Sequence, residues 1–139
     1  MNNKQRLFEL FEKVNNIKSN QSERDDIIKQ FIAFAGKELG ISDQLPEIYV
    51  NYEEGAAKKM RSFGGYTPSE DKIDTVGSNR NLADVLRTLG HEMVHHKQKL
   101  EGKIKDNSGD TGSAEENEAN AVAGVLLRNF GQINDNIYE

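Results

Sequence analysis

Apolar positions along the chain fall into blocks of different period. Leu7, Leu10, Phe11, Val14 and Ile17 stand at helical spacing with Phe8 beside them, and predict a first helix over residues 1–17. Asn15-Asn16 and Ser19-Asn20 break that pattern. A second helix is signalled by Ser22 with Asp25 three positions on, the spacing of a capping box with Asp in place of the preferred Glu or Gln. Its stripe is Ile27, Ile28, Phe31, Ile32 and Ala35, with Gly40 as the stop and Gly36 as an earlier candidate. The period then changes. Ile48-Tyr49-Val50 after Pro46 predicts a short strand, and Phe63–Thr67 and Lys72–Val76 predict two more around a turn of Pro68, Ser69, Glu70 and Asp71. Ala56–Met60 reads as a helical turn or as an irregular edge.

A third helix starts with Asn81 as N-cap and runs to about Leu100, before Gly102. Its stripe is Leu82, Val85, Leu86, Leu89 and Met93. Residues 103–113 read as a polar loop. The fourth helix spans about Ala114–Asn129 and stops at Gly131, leaving a frayed tail. Two helices, a small set of strands and two more helices make an α+β pattern.

Length and composition narrow the chemistry. A chain of 139 residues without repeats or a linker fits one domain, residues 1–139. Eighteen basic against 23 acidic side chains give a net charge of −5, which argues against a nucleic-acid partner. A mean hydropathy of −0.76 predicts a wet surface. No apolar run reaches the ~18 residues of a membrane span, and MNNKQRLFEL lacks the apolar stretch of a signal peptide. A cytoplasmic protein without a membrane partner is expected. The absence of cysteine removes disulfides, thiolate zinc sites and cysteine nucleophiles. What remains is chemistry from His, carboxylate, hydroxyl or backbone groups.

The third helix contains His91-Glu92-Met93-Val94-His95. Four residues advance about 400° around a helix, so both imidazoles project from one face, one turn apart. That spacing lets two ring nitrogens meet one Zn²⁺ at about 2.0–2.1 Å. Glu92 is placed to address a water held there without itself ligating. The structural alternative is an exposed polar face with Glu92 paired to a nearby Lys.

A catalytic zinc site needs a third ligand and an open position. Glu115, Glu116 and Glu118 lie near the start of the fourth helix and point in different directions. Glu116 continues through Ala119, Asn120, Ala123, Leu127 and Phe130, an inward-looking face, so the geometry prefers Glu116 while leaving Glu115 and Glu118 open. Each also has a structural reading, since acidic residues in a first turn oppose the macrodipole. Ser113 and Glu116 have capping-box spacing as well.

His91-Glu92-x-x-His95 followed, after residues 96–115, by Glu116-x-x-Ala119-Asn120 resembles a gluzincin metallopeptidase. With Ala121 and Ala123, and with the lead-in Leu86-Arg87-Thr88-Leu89-Gly90, it is most similar to the small ImmA/IrrE-type peptidases; the compact layout also resembles minimal gluzincins and SprT-like domains. The match covers residues 86–96 and 116–123. The resemblance implies a compact zincin-like fold, Zn²⁺ held by His91, His95 and Glu116, and Asn120 supporting the first histidine. Val94 departs from the glycine that many ImmA/IrrE-type members carry before the second histidine, and no zinc ribbon of the SprT-associated kind is present.

The resemblance and the spacing together imply peptide hydrolysis with Glu92 as general base and a protein or peptide as substrate. Phe63–Thr67 is a candidate sheet edge for an extended peptide, and Gly64-Gly65 reads equally as a bend or bulge. Tyr66 is the candidate oxyanion donor, with His96 and Tyr138 as weaker ones; His96 points about 100° from His95 and reads as solvent-facing. Gly90, costly inside a helix, implies close approach of a strand or substrate beside His91. The non-enzymatic alternative is a catalytically silent zinc-binding module for protein interaction or regulation. A further alternative is a regulator that cleaves a single target.

Overall fold

The computed structural model describes residues 17–19, 22–104 and 111–138. The first predicted helix therefore lies outside the described residues except for Ile17, which sits in a strand instead. Strand β1 (Ile17–Ser19) pairs in parallel with β2 (Glu47–Asn51), placing Ile17 opposite Ile48. Between them, helix α1 (Ser22–Leu39) turns Ile28, Phe31, Ile32 and Ala35 fully inward. Gly36 stays within the helix, and Gly40, at φ +73°, ends it in the left-handed conformation that glycine adopts without strain.

After Pro46, the alternation in β2 buries Ile48 and Val50 and leaves their neighbours half-exposed. The ambiguous segment is a short helix, α2 (Ala56–Met60), bounded by left-handed Gly55 and Arg61 and anchored by buried Ala56. Strand β3 (Gly64–Thr67), a single 3₁₀ turn at Pro68–Glu70 and β4 (Lys72–Val76) follow. The spatial order is β1-β2-β4-β3, with β2 and β4 parallel and β3 antiparallel to β4. Among the described residues, strand β3 is thus an edge, paired through Gly64–Thr75 and Tyr66–Ile73.

Helix α3 (Leu82–Leu100) packs against α1, β3 and β4, and helix α4 (Ala114–Ile133) packs along α3. Their shared core contains Leu86, Leu89, Met93, Ala119, Leu127 and Phe130. Phe31 meets Phe130 edge-to-face at 5.3 Å, joining α1 to α4. Helix α4 runs past Gly131, and the tail is a 3₁₀ turn (Asp135–Tyr138) rather than frayed. Ile137 is buried in the core, and the Tyr138 ring lies against Gly131, where any Cβ would come within 2.8 Å of its oxygen. No helix among the described residues is long and apolar enough to cross a membrane.

Candidate metal centre

Helix α3 has two working faces. Leu86, Leu89 and Met93 are wholly buried and fix the helix in the core. The other face carries His91 and His95, whose rings lie 4.8 Å apart and nearly perpendicular. Gly90 permits the close packing of three helices here: a Cβ would lie 3.3 Å from the Phe31 ring and 3.7 Å from Ala123 Cα. The approach expected from a strand or substrate is made by α1 and α4, which corrects the sequence expectation.

Helix α4 begins at Ser113, whose hydroxyl accepts the Glu116 N–H at 3.1 Å. Its first turn directs the Glu116 carboxylate onto the histidine pair. Glu116 Oε1 lies 3.0 Å from His91 Nε2 and 2.9 Å from His95 Nε2. Ser113 thus caps the Glu116 backbone while the Glu116 side chain faces the imidazoles. Glu118 Oε1 instead accepts from Gln98 Nε2, and Asn120, one turn beyond Glu116, hydrogen-bonds His91.

Glu92 completes the group. The metal-binding atoms of His91, Glu92 and His95 lie within 4.8 Å of one another. Its carboxyl is 7% exposed, and burial pushes its pKa up to about 7 against the attraction of His95, with Glu116 pushing the same way as burial. Burial also lowers the His91 pKa, opposed by Glu116. The His91 and Glu116 side chains are 18% and 21% exposed and His95 only 8%, so the centre opens on the His91–Glu116 side.

The donor inventory tests whether a cation fits. His95 Nδ1 lies 2.8 Å from Gln98 Oε1, which can only accept, so Nδ1 carries a proton and Nε2 is the ring nitrogen left to meet a cation. That nitrogen faces Glu116 Oε1 at 2.9 Å. Two acceptors at this distance repel unless a proton or a cation lies between them. A tetrahedral ion with bonds of about 2.0–2.1 Å spaces its ligands roughly 3.3–3.4 Å apart, within about half an ångström of the arrangement seen. Two imidazoles and a carboxylate form a donor set suited to zinc.

The candidate oxyanion donors have partners of their own. Tyr66 Oη is 2.8 Å from His96 Nδ1 and 3.4 Å from Asp71 Oδ1. His96 Nε2 lies 2.6 Å from the Gln44 carbonyl, so it donates there and Nδ1 accepts the phenol proton. His96 is 2% exposed, not solvent-facing, because these two bonds satisfy it in the interior. Tyr66 and His96 thereby clasp β3 to α3. Tyr138 packs at Gly131, about 20 Å along α4 from Glu116, and is not brought to the site. Gln98 was missed by the sequence reading; its one available signal was a position three residues after His95. Thr88 was missed too, though it meets Gly64 closely: a Cβ on Gly64 would lie 2.5 Å from Thr88 Cγ2 and 3.7 Å from Glu92 Oε2. Compared with known proteins, the chain matches no family model, no curated protein and no solved structure.

Proposed function

We propose that the protein is a zinc-dependent peptidase of the gluzincin type, with His91, His95 and Glu116 as metal ligands and Glu92 as general base. The observation that carries the reading is the convergence of two imidazole nitrogens on one carboxylate oxygen at 2.9 and 3.0 Å, beside a buried glutamate. Bound zinc supplies Lewis acidity, acidifying a water and polarising the scissile carbonyl. Glu92 takes the proton of the attacking water and returns it to the departing amine. Asn120 and Gln98 hold the two imidazoles in orientation. The edge that β3 forms among the described residues passes beside Glu92 at Gly64, whose carbonyl accepts from the Ser62 hydroxyl at 2.9 Å, and an edge strand suits an extended peptide. Beyond it, a cavity of about 610 Å³ lined by Phe63, Arg80 and Asp84 gives room for a flanking side chain.

Metal content and hydrolysis, measured together, test this. Elemental analysis should find about one zinc per chain in the wild type and in Glu92→Gln, and little in His95→Ala. Mass spectrometry of a random-sequence peptide mixture should show cleavage by the wild type, slowed at least ~100-fold in Glu92→Gln. A metal-free wild type that takes up no added zinc overturns the reading. Zinc without any difference between wild type and Glu92→Gln on peptides favours the silent zinc-binding module instead.

A further inference from the structure

Gln98 lies one turn beyond His95 on α3 and is 1% exposed. Its amide nitrogen is 2.9 Å from the Glu115 carbonyl oxygen and 2.9 Å from Glu118 Oε1. Both partners only accept, and an amide nitrogen only donates, so the amide has one satisfied orientation. Its oxygen must then face His95 Nδ1, where it accepts the ring proton at 2.8 Å. The tautomer of His95 is therefore dictated from α4, through Gln98.

We propose that Gln98 is a positioning residue that holds His95 with its Nε2 lone pair free for the metal, and that Glu118 with the Glu115 backbone holds Gln98. The proposal rests on the metal reading above and deepens it. The start of α4 then acts on the centre twice, directly through Glu116 and indirectly through Gln98. Metal binding requires that turn to be docked on α3, and whatever lifts it releases a ligand and the support of a second ligand together. Glu118, a candidate ligand in the sequence, acts two steps from the metal.

The test is zinc affinity, measured by competition with a chromophoric chelator, across a charge-swap series. Gln98→Met keeps the side-chain length and removes every bond; zinc affinity should fall about 10–100-fold. Gln98→Glu places a carboxylate against Glu118 and the Glu115 carbonyl, and should also weaken binding. The double variant Gln98→Glu with Glu118→Gln reverses the donor and acceptor between the two positions while still accepting from His95. It should recover part of the affinity lost in Gln98→Glu, held below wild type by the Glu115 carbonyl that still faces a carboxylate, and a merely space-filling role predicts no such recovery. A folded Gln98→Met that binds zinc as tightly as wild type overturns the proposal, as does a double variant no tighter than Gln98→Glu. Should Gln98→Met fail to fold, ¹⁵N NMR of the metal-free wild type still decides. A proton on His95 Nδ1 supports the proposal, and a ring protonated on Nε2 alone overturns it. A wild type that binds no zinc overturns the metal reading itself, an outcome distinct from zinc bound equally by wild type and Gln98→Met.

Discussion

Buried beside two imidazoles, the Glu92 carboxyl of the metal-free protein holds its proton to about pH 7, against an ordinary value of 4.5. The folded state therefore binds a proton that the unfolded chain releases. Its contribution to stability is complete below pH 4.5 and is lost as pH rises through 7. Glu92→Gln keeps the neutral shape at every pH. In chelator-treated protein, the variant should match wild type near pH 4 and be more stable at pH 8 by roughly 3 kcal/mol, read from urea midpoints. A gap that does not grow with pH contradicts the burial argument. The sequence showed this much of the site because four-residue spacing on a helix fixes two side chains on one face. It did not decide among Glu115, Glu116 and Glu118, because three faces of one turn are equivalent until a partner helix chooses. Gln98 was hidden for a related reason: one buried glutamine is indistinguishable in sequence from a solvated one.

Strand β3 shows the same division between local pattern and contact. Its existence was readable from Phe63–Thr67, but its place at the sheet edge and its approach to α3 depend on pairing that no short pattern encodes. Gly64 and Gly65, adjacent and identical in sequence, do different things. A methyl on Gly65 meets nothing within 4 Å, whereas one on Gly64 lies 2.5 Å from Thr88 Cγ2 and 3.2 Å from the Asp74 carbonyl. Thr88 has little freedom to yield, since its Oγ1 accepts from Arg80 at 2.7 Å. Gly64→Ala should cost about 1–3 kcal/mol and Gly65→Ala close to nothing. Thr88→Ser deletes the obstructing methyl while keeping the hydroxyl for Arg80, so it should restore much of the loss in the double variant. Thermal midpoints of wild type, the three single variants and the double variant measure this, and a Gly64→Ala loss untouched by Thr88→Ser places the obstruction at the Asp74 backbone instead.

Across the whole molecule, the two helices that carry the candidate ligands reach the centre from separate stretches of chain. His91 and His95 come from α3 and Glu116 from α4, while the core beneath them is closed by Phe31 from α1 and by Phe130 and Ile137. The helical stripes foretold most of that core. They did not foretell the ordered tail, because Ile137 is a lone apolar residue in a polar stretch and is buried only after α4 has continued past Gly131. On the proposed reading, a cation at the centre would bind only where α3 and α4 are already packed and would stabilise the folded state by mass action. At free zinc about 1,000 times the dissociation constant, the gain is about 4 kcal/mol. Calorimetry should therefore show a midpoint raised several degrees by zinc and lowered again by chelator. In His95→Ala, zinc and chelator should leave the midpoint nearly unmoved. Equal zinc shifts in the two proteins would assign the stabilisation to acidic surface groups of this −5 chain rather than to the helix–helix junction.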